Sequence, residues 1–294
     1  MIVYFGVCMG NLKYAVHAYA WTGSWSNKTL DLIDHAKKLG FDFIEIPLME
    51  IDLIDPEKIR ERAEQVGIEL CTSTACSKEN DITSDNPDIR DKGIEYLRKC
   101  ISATAAMDAK CLSGVIYSAI GGKVAGMPDE RYWKRSAEAI KQVAQVANRA
   151  GIKLGIEPVN RYETFLINTC EQAIKLAGMI DEPNVGIHLD AYHMNIEENN
   201  FYEPIKKAVP LLCHFHLSES HRGVPGTGTV DWDGIFRALS ETGYKGLVGL
   251  ESFIEVSDAM REATCIWRKF APSSDVLLIE GLKYLKSMEH KYYK

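Results

Sequence analysis

The sequence predicts an α/β fold in the form of a single (β/α)₈ TIM barrel that covers residues 1–294. Short apolar runs alternate with longer amphipathic stretches eight times along the chain. Strands that are each followed by a helix predict parallel pairing through right-handed crossovers, and eight such units favour a closed barrel over an open sheet. No linker, low-complexity segment or change in composition divides the sequence, so we expect one domain.

The strands are predicted from short apolar runs rich in β-branched residues. In chain order they are Tyr14–Ala20, Phe41–Pro47, Ile68–Ala75, Cys111–Tyr117, Ile152–Glu157, Val185–Asp190, Leu211–Leu217 and Gly246–Glu251. The first is preceded by residues 1–12, whose apolar part Met1–Cys8 lacks the basic start of a signal peptide. We therefore interpret residues 1–12 as a leader segment to the first strand.

The helices are predicted from apolar residues that recur at helical spacing between the strands. They are Leu30–Leu39, Pro56–Val66, Ile89–Met107, Arg131–Ala150, Cys170–Met179, Tyr202–Val209, Trp232–Thr242 and, last, Val276–Met288. Four of them are followed by a glycine, which favours the left-handed conformation that ends many helices. These glycines are Gly40, Gly67, Gly151 and Gly243.

Three long loops follow predicted strands three, four and eight, at residues 76–88, 118–130 and 252–274. Loops after strands form the catalytic rim of a TIM barrel, so we expect these segments beside the active site. The final part of the chain, residues 252–294, is predicted to consist of the last loop and the C-terminal helix. In the first loop, Trp21 and Trp25 are candidates for apolar pocket walls.

Composition argues against several kinds of partner and location. The net charge of −7 does not suit a nucleic-acid partner, which favours a basic face. No apolar run approaches the ~20 residues that a membrane span needs. The eight cysteines include no C-x-x-C pair, and a chain of this length needs no disulfides, so we expect a cytoplasmic protein.

Strands five to eight each end in an ionisable side chain at the face where barrel active sites form. These residues are Glu157, Asp190, His216 and Glu251. Burying such groups together is costly unless a cation neutralises them, and we find no candidate for a buried Lys or Arg that would do so. The pattern predicts a metal site; the alternative is a polar network between strands without metal.

Three carboxylates and one imidazole are mostly hard ligands, which favours Mn²⁺ or Mg²⁺ over Zn²⁺. We expect one divalent metal ion, Mn²⁺, with Co²⁺ or Mg²⁺ as alternatives. Such an ion can bind two neighbouring sugar oxygens and stabilise the enediolate that forms when a carbon acid loses its proton. His188 and His214 are expected one layer deeper in the barrel than His216.

Three motifs surround the strand-end residues: Glu157–Glu163 (EPVNRYE), Asp190–Glu198 (DAYHMNIEE) and His214–Gly223 (HFHLSESHRG). They resemble the D-tagatose/D-allulose (psicose) 3-epimerase family, which has L-ribulose 3-epimerase-like members and lies within the xylose-isomerase-like TIM barrels. The Gly226–Gly228 turn and the segment around Glu251 continue the resemblance, which extends over essentially the whole chain from about Lys13.

The resemblance implies a metal-dependent isomerase that interconverts C3 epimers of free ketohexoses or ketopentoses through a cis-enediolate. The sugar pairs are D-tagatose/D-sorbose, D-fructose/D-allulose and L-ribulose/L-xylulose. It implies that the four strand-end residues bind the metal and that Glu157 and Glu251 are also the catalytic acid–base pair. Such transfer suits carboxylates that a cation keeps ionised.

The resemblance also implies substrate contacts, with Glu163, His193 and Arg222 at the O1–O3 end of the sugar. On the residues alone, Glu163 and Arg222 are typical of loop surface charges and His193 of a capping residue. His17, a further expected contact, stands where several family members carry tyrosine, and Ser118–Ile120 replaces a tryptophan-containing stretch. These departures resemble the branch that also takes L-ribulose.

Other enzymes share this type of barrel. A 1,2-aldose–ketose isomerase of the hydroxypyruvate-isomerase kind and a lyase such as an inosose dehydratase are the alternatives, and Arg222 with His193 favours C3 as the reacting carbon. An endonuclease IV relative would need more histidines and a basic face. A barrel without activity would be expected to lack one of the paired glutamates.

The expected partner is a small-molecule ketose, with no nucleic acid and no membrane, and we expect a homodimer or homotetramer.

Overall fold

Eight parallel strands form a closed barrel in a computed structural model that describes residues 12–294. Each strand pairs with the next one in the chain, and the first closes the barrel against the last. The strands are β1 (Lys13–His17), β2 (Phe43–Pro47), β3 (Glu69–Cys76), β4 (Cys111–Ala119), β5 (Lys153–Ile156), β6 (Val185–Asp190), β7 (Leu212–His216) and β8 (Leu247–Leu250). The predicted TIM barrel is confirmed.

Helices follow the strands and pack around the barrel. They are α1 (Asp31–Leu39), α2 (Pro56–Val66), α3 (Pro87–Ala106), α4 (Glu130–Arg149), α5 (Cys170–Ile180), α6 (Ala191–Glu197), α7 (Tyr202–Ala208), α8 (Trp232–Glu241), α9 (Asp258–Thr264) and α10 (Ser274–Tyr292). None of those between residues 12 and 294 has the length and apolar character that crossing a membrane requires. The predicted leader, residues 1–12, lies outside the described residues except for Leu12.

Local capping fixes where the helices begin and end. Asp55 accepts the backbone N–H of Lys58 at the start of α2, and Pro56 occupies its first turn. Gly40 and Gly67 end α1 and α2 with φ of 91° and 72°, a region that glycine enters without a Cβ clash. The other two predicted glycines, Gly151 and Gly243, also have positive φ, one residue beyond the cap.

The structure corrects the prediction at three places near the rim. The first strand ends at His17, whose Nδ1 accepts the N–H of Tyr19 and starts a 3₁₀ turn. The two short helices α6 and α9 were not predicted, because two turns of helix carry too few apolar repeats for a periodic signal. Asp190 and Ser257 cap them. The segment 252–274 is therefore not a plain loop, since α9 lies within it.

Candidate active site

The four strand-end side chains meet at one end of the barrel. Asp190 and His216 are the last residues of β6 and β7, whereas Glu157 and Glu251 directly follow β5 and β8. One ligand atom each of Glu157, Asp190 and His216 lies within 4.8 Å of the others. His216 Nδ1 lies 3.6 Å from Glu251 Oε2. The barrel thus brings together all four residues that the sequence singled out.

A further carboxylate, Glu45 of β2, orients the imidazole in this cluster. Glu45 is fully buried, and its Oε2 lies 2.8 Å from Nε2 of both His216 and His214. Because a carboxylate accepts, His216 donates through Nε2, which leaves Nδ1 as the ring atom that faces the cluster. That Nδ1 is buried and has no hydrogen-bond partner among residues 12–294. A carboxylate behind an imidazole is the usual support of a histidine that ligates a metal.

Glu45 was not predicted as a site residue, although the sequence contains one signal for it. Glu45 interrupts the otherwise apolar strand FIEIP, where an ionisable residue is rarely buried without a partner. His214 lies beside it, His188 packs against the ring of His214, and both histidines are fully buried. The His188 ring packs edge-on against His216, with the ring centroids 4.2 Å apart.

Electrostatics favours a cation in the cluster. Burial raises the pKa of Glu157 well above its ordinary value; His216 opposes this, and the carboxylates of Glu251 and Asp190 raise it further. Burial would lower the pKa of His216, but Glu45 and Glu251 outweigh it and raise the pKa. A divalent cation would remove the repulsion between these carboxylates and would take the place of the proton on Nδ1 of His216. The residues therefore fit a metal ion.

Arg222 corrects one expectation. The sequence offered no candidate for a buried cation, yet the guanidinium of Arg222 is buried beside the cluster. Its Nη1 donates to Asp190 Oδ2 and Glu251 Oε2, each at 2.7 Å. The guanidinium stacks 4.1 Å from the ring centroid of Tyr192. One guanidinium offsets only part of the charge of three carboxylates, so Arg222 supplements a metal ion and does not replace it.

The other expected substrate contacts, His193, His17 and Glu163, line the same cavity. His193 Nδ1 accepts the backbone N–H of Asn160 at 3.1 Å, which leaves an N–H on Nε2. His17 has the same tautomer because its Nδ1 accepts from Tyr19, and its Nε2 lies 2.9 Å from Ser73 Oγ. Burial lowers the pKa of both imidazoles. Both histidines are therefore neutral hydrogen-bond donors.

The cavity has a volume of about 610 Å³, within the range of small-molecule sites. Glu157, His216 and Glu251 line it, whereas Asp190 is fully buried outside its lining. Apolar side chains from β4, from the residue that follows it, from α9 and from the segment after α9 complete the wall; they are Val115, Ile120, Met260, Ile266 and Phe270.

The two tryptophans proposed as pocket walls lie elsewhere. Trp25 is fully buried in the hydrophobic core. The indole N–H of Trp21 donates to Asp275 at the start of α10. The apolar wall comes instead from residues at the end of β4 and from the segment after β8, which was predicted to be a loop.

Comparison with known proteins gives consistent matches over most of the chain. The model of the xylose isomerase-like TIM barrel family matches residues 33–287. An L-ribulose 3-epimerase of Methylomonas sp. (strain DH-1) is 36% identical over 94% of this chain and 97% of its own length. A ketose 3-epimerase of Arthrobacter globiformis is 34% identical over 90% and 93%.

Solved structures agree with these sequence matches. A crystal structure of D-allulose 3-epimerase from Methylomonas sp. in complex with D-allulose superposes with a TM-score of 0.90 and 35% sequence identity. The match covers 95% of this chain and 98% of that one.

Proposed function

The chain belongs to the ketose 3-epimerases of the xylose isomerase-like TIM barrel family, and from this premise we propose that it interconverts C3 epimers of unphosphorylated ketoses with Glu157 and Glu251 as the acid–base pair. The observation that carries the proposal is that both glutamates follow barrel strands and line the same cavity. Inversion at carbon needs one group to remove a proton and a second to return it from the opposite face.

The chain's own side chains supply the proton transfers and the binding. One glutamate removes the C3 proton, which is acidic because C3 adjoins the C2 carbonyl, and the other protonates the opposite face. His193 Nε2–H and the Arg222 guanidinium bind the O1–O3 end and fix which carbon faces the glutamates. Glu163 accepts hydrogen bonds from the sugar hydroxyls, and His17, beside Ser73, contacts the sugar.

We propose that Glu157, Asp190, His216 and Glu251 hold one divalent metal ion, Mn²⁺, with Co²⁺ or Mg²⁺ as alternatives. When bound, the ion supplies Lewis-acid polarisation of the carbonyl and the neighbouring hydroxyl. The mostly oxygen donor set and the free Nδ1 of His216 support this choice.

The proposed substrates are the pairs D-fructose/D-allulose, D-tagatose/D-sorbose and L-ribulose/L-xylulose. The activities named for the relatives, on L-ribulose and D-allulose, support two of these pairs. His17 and Ile120 in the cavity wall support acceptance of the pentuloses. Purified protein with Mn²⁺ should therefore be incubated with a panel of ketohexoses and ketopentoses, and the products identified by chiral chromatography. Conversion at C3 alone is the expected result, and no conversion of any ketose would contradict the proposal.

Phosphorylated ketoses should be poor substrates. The turn Gly226–Gly228 is the one glycine-rich candidate for a phosphate cradle that the sequence analysis considered, and Gly226 N–H already donates to Glu219 Oε2 at 2.8 Å. We expect kcat/KM for D-fructose to exceed that for D-fructose 6-phosphate. A clear preference for the phosphate ester would contradict this part of the proposal.

Replacing Glu45 by glutamine should weaken metal binding. The amide keeps the shape but lacks the negative charge that the N–H groups of His214 and His216 share at Oε2, so the ring of His216 is less firmly oriented. Loss of such a supporting carboxylate typically lowers metal affinity roughly 10- to 100-fold. Calorimetric titration of the metal-free protein with Mn²⁺ measures this directly. Glu198→Gln, which alters the carboxylate that caps α5 at Cys170, serves as the control and should bind Mn²⁺ like the unaltered protein.

We further propose a cytoplasmic location, which the seven free cysteines among the described residues support. A homodimer or homotetramer, and one domain over residues 1–294, remain predictions. Light scattering coupled to size-exclusion chromatography tests the first, and a single cooperative unfolding transition tests the second.

A further inference from the structure

A buried carboxylate lies behind the rim of the cavity, in the segment between β7 and α8. Oε1 of Glu219 accepts the backbone N–H groups of Ser220 and Val230, at 2.8 and 3.2 Å. Oε2 accepts the N–H of Gly226 at 2.8 Å and the indole N–H of Trp232 at 3.1 Å. Burial alone would raise the pKa of Glu219, but these hydrogen bonds lower it. Glu219 is thus an ionised side chain that the proposed proton transfers do not use.

The Gly226–Gly228 turn is shaped around this carboxylate. Convergent backbone N–H groups are what proteins use to bind phosphate and other anions, and here the anion belongs to the chain itself. A Cβ on Gly228 would lie 2.4 Å from Glu219 Oε1, so only glycine allows this approach without a shift. The Gly226–Gly228 turn therefore binds a carboxylate of the chain itself and not an external anion.

The same segment holds Arg222 in an unusual conformation. The backbone of Arg222 has φ of 60°, a region that side chains with a Cβ disfavour. The carbonyl of Glu219 accepts the Arg222 N–H at 2.8 Å, and the hydroxyl of Ser252 donates to the Arg222 carbonyl at 2.6 Å. Three residues after the buried carboxylate, the guanidinium then reaches Asp190 and Glu251.

We propose that Glu219 is a positioning residue for Arg222: its carboxylate ties the two ends of the segment together and so fixes the direction of the guanidinium. That Arg222 binds the ketose in this orientation rests on the function proposed above. The carboxylate satisfies the donors of Ser220, Gly226 and Val230 on both sides of Arg222. Without it, these three N–H groups would lose their acceptor, and the segment that carries the left-handed Arg222 would be held less firmly.

The test is a double-mutant cycle with Mn²⁺ occupancy measured beside the rates. Glu219→Gln keeps the size of the side chain but turns an amide N–H₂ toward N–H donors. A misplacement of about 1 Å costs on the order of 100-fold, so we expect kcat/KM for the best ketose to fall about 100-fold. In an Arg222→Ala background the same substitution should change kcat/KM less than about threefold, because its effect acts through Arg222. Equal losses in both backgrounds, or unchanged kcat/KM in Glu219→Gln, would overturn the proposal.

Chemical rescue gives a second test. Formate should restore part of the activity of Glu219→Ala, because it can bind to the backbone N–H groups of Ser220, Gly226 and Val230 in place of the missing carboxylate. It should not change the activity of the unaltered protein. Glu289→Ala is the matched control: this buried carboxylate accepts from Leu12 N–H and Tyr14 at the opposite end of β1, and formate should not change the activity of that variant. If formate restored no activity to folded Glu219→Ala, this would contradict the proposed role of the carboxylate bound by these N–H groups.

A third readout does not depend on epimerisation. Phenylglyoxal modifies accessible arginines, and peptide mass spectrometry follows Arg222, which is 7% exposed. Faster modification of Arg222 in Glu219→Gln than in the unaltered protein supports the proposal, and equal rates contradict it. If the unaltered protein converts no ketose, the proposed function fails while this measurement still decides the role of Glu219. Should Glu219→Gln not fold, Gly228→Ala, which presses on the same carboxylate, replaces it.

Discussion

Replacing either Glu157 or Glu251 by glutamine should lower epimerisation by several orders of magnitude. Glutamine keeps the shape of the side chain but cannot accept the C3 proton, and inversion needs a competent group on each face. Each variant keeps one base. The variant that retains the base for a given epimer should still exchange that epimer's C3 proton with deuterated water without completing inversion. Chiral chromatography measures the first effect, and proton NMR of the recovered ketose measures the second.

Metal occupancy must be measured beside these rates, because both glutamates are proposed ligands. Glu198→Gln alters a carboxylate outside the cavity and should retain normal turnover. Near-normal epimerisation by a fully metallated Glu157→Gln or Glu251→Gln variant would contradict the two-carboxylate mechanism. Deuterium at C1 instead of C3 with the unaltered enzyme would favour a 1,2-aldose–ketose isomerase.

Removal of divalent metal should abolish turnover, and Mn²⁺ or Co²⁺ should restore it. We propose that Glu157, Asp190, Glu251 and His216 hold this cation, and the guanidinium of Arg222 offsets part of their charge. A ligand that binds only the native state at 100 times its Kd adds about 2.7 kcal/mol to the free energy of unfolding. Calorimetric unfolding of the metal-free and Mn²⁺-loaded protein should show this gain.

The His216→Ala variant should lose most of that gain, because Nδ1 of His216 is one of the four proposed ligand groups. His290→Ala removes an exposed histidine of α10 and should respond to Mn²⁺ like the unaltered protein. Full activity in protein shown by elemental analysis to contain no divalent metal would disprove metal dependence. Equal stabilisation of His216→Ala and the unaltered protein would place the metal elsewhere.

The sequence by itself determined the barrel and the four strand-end residues. Strand and helix periodicities are local properties of the chain, and glycines such as Gly40 mark helix ends directly. Because all strands of a parallel barrel point the same way, the side chains that end β5 to β8 must meet at one face. No knowledge of particular contacts was needed for this step.

Only the tertiary structure decided which partners those residues have. His216 donates to Glu45, 171 positions earlier in the chain, and a strand pattern does not reveal which distant strand faces a given side chain. Arg222 reads as a loop surface charge in the sequence, but the left-handed turn beside Glu219 directs it into the carboxylate cluster. Sequence periodicity specifies the face on which a residue lies, whereas ion pairs and hydrogen bonds depend on distances of a few ångströms that only the closed barrel fixes.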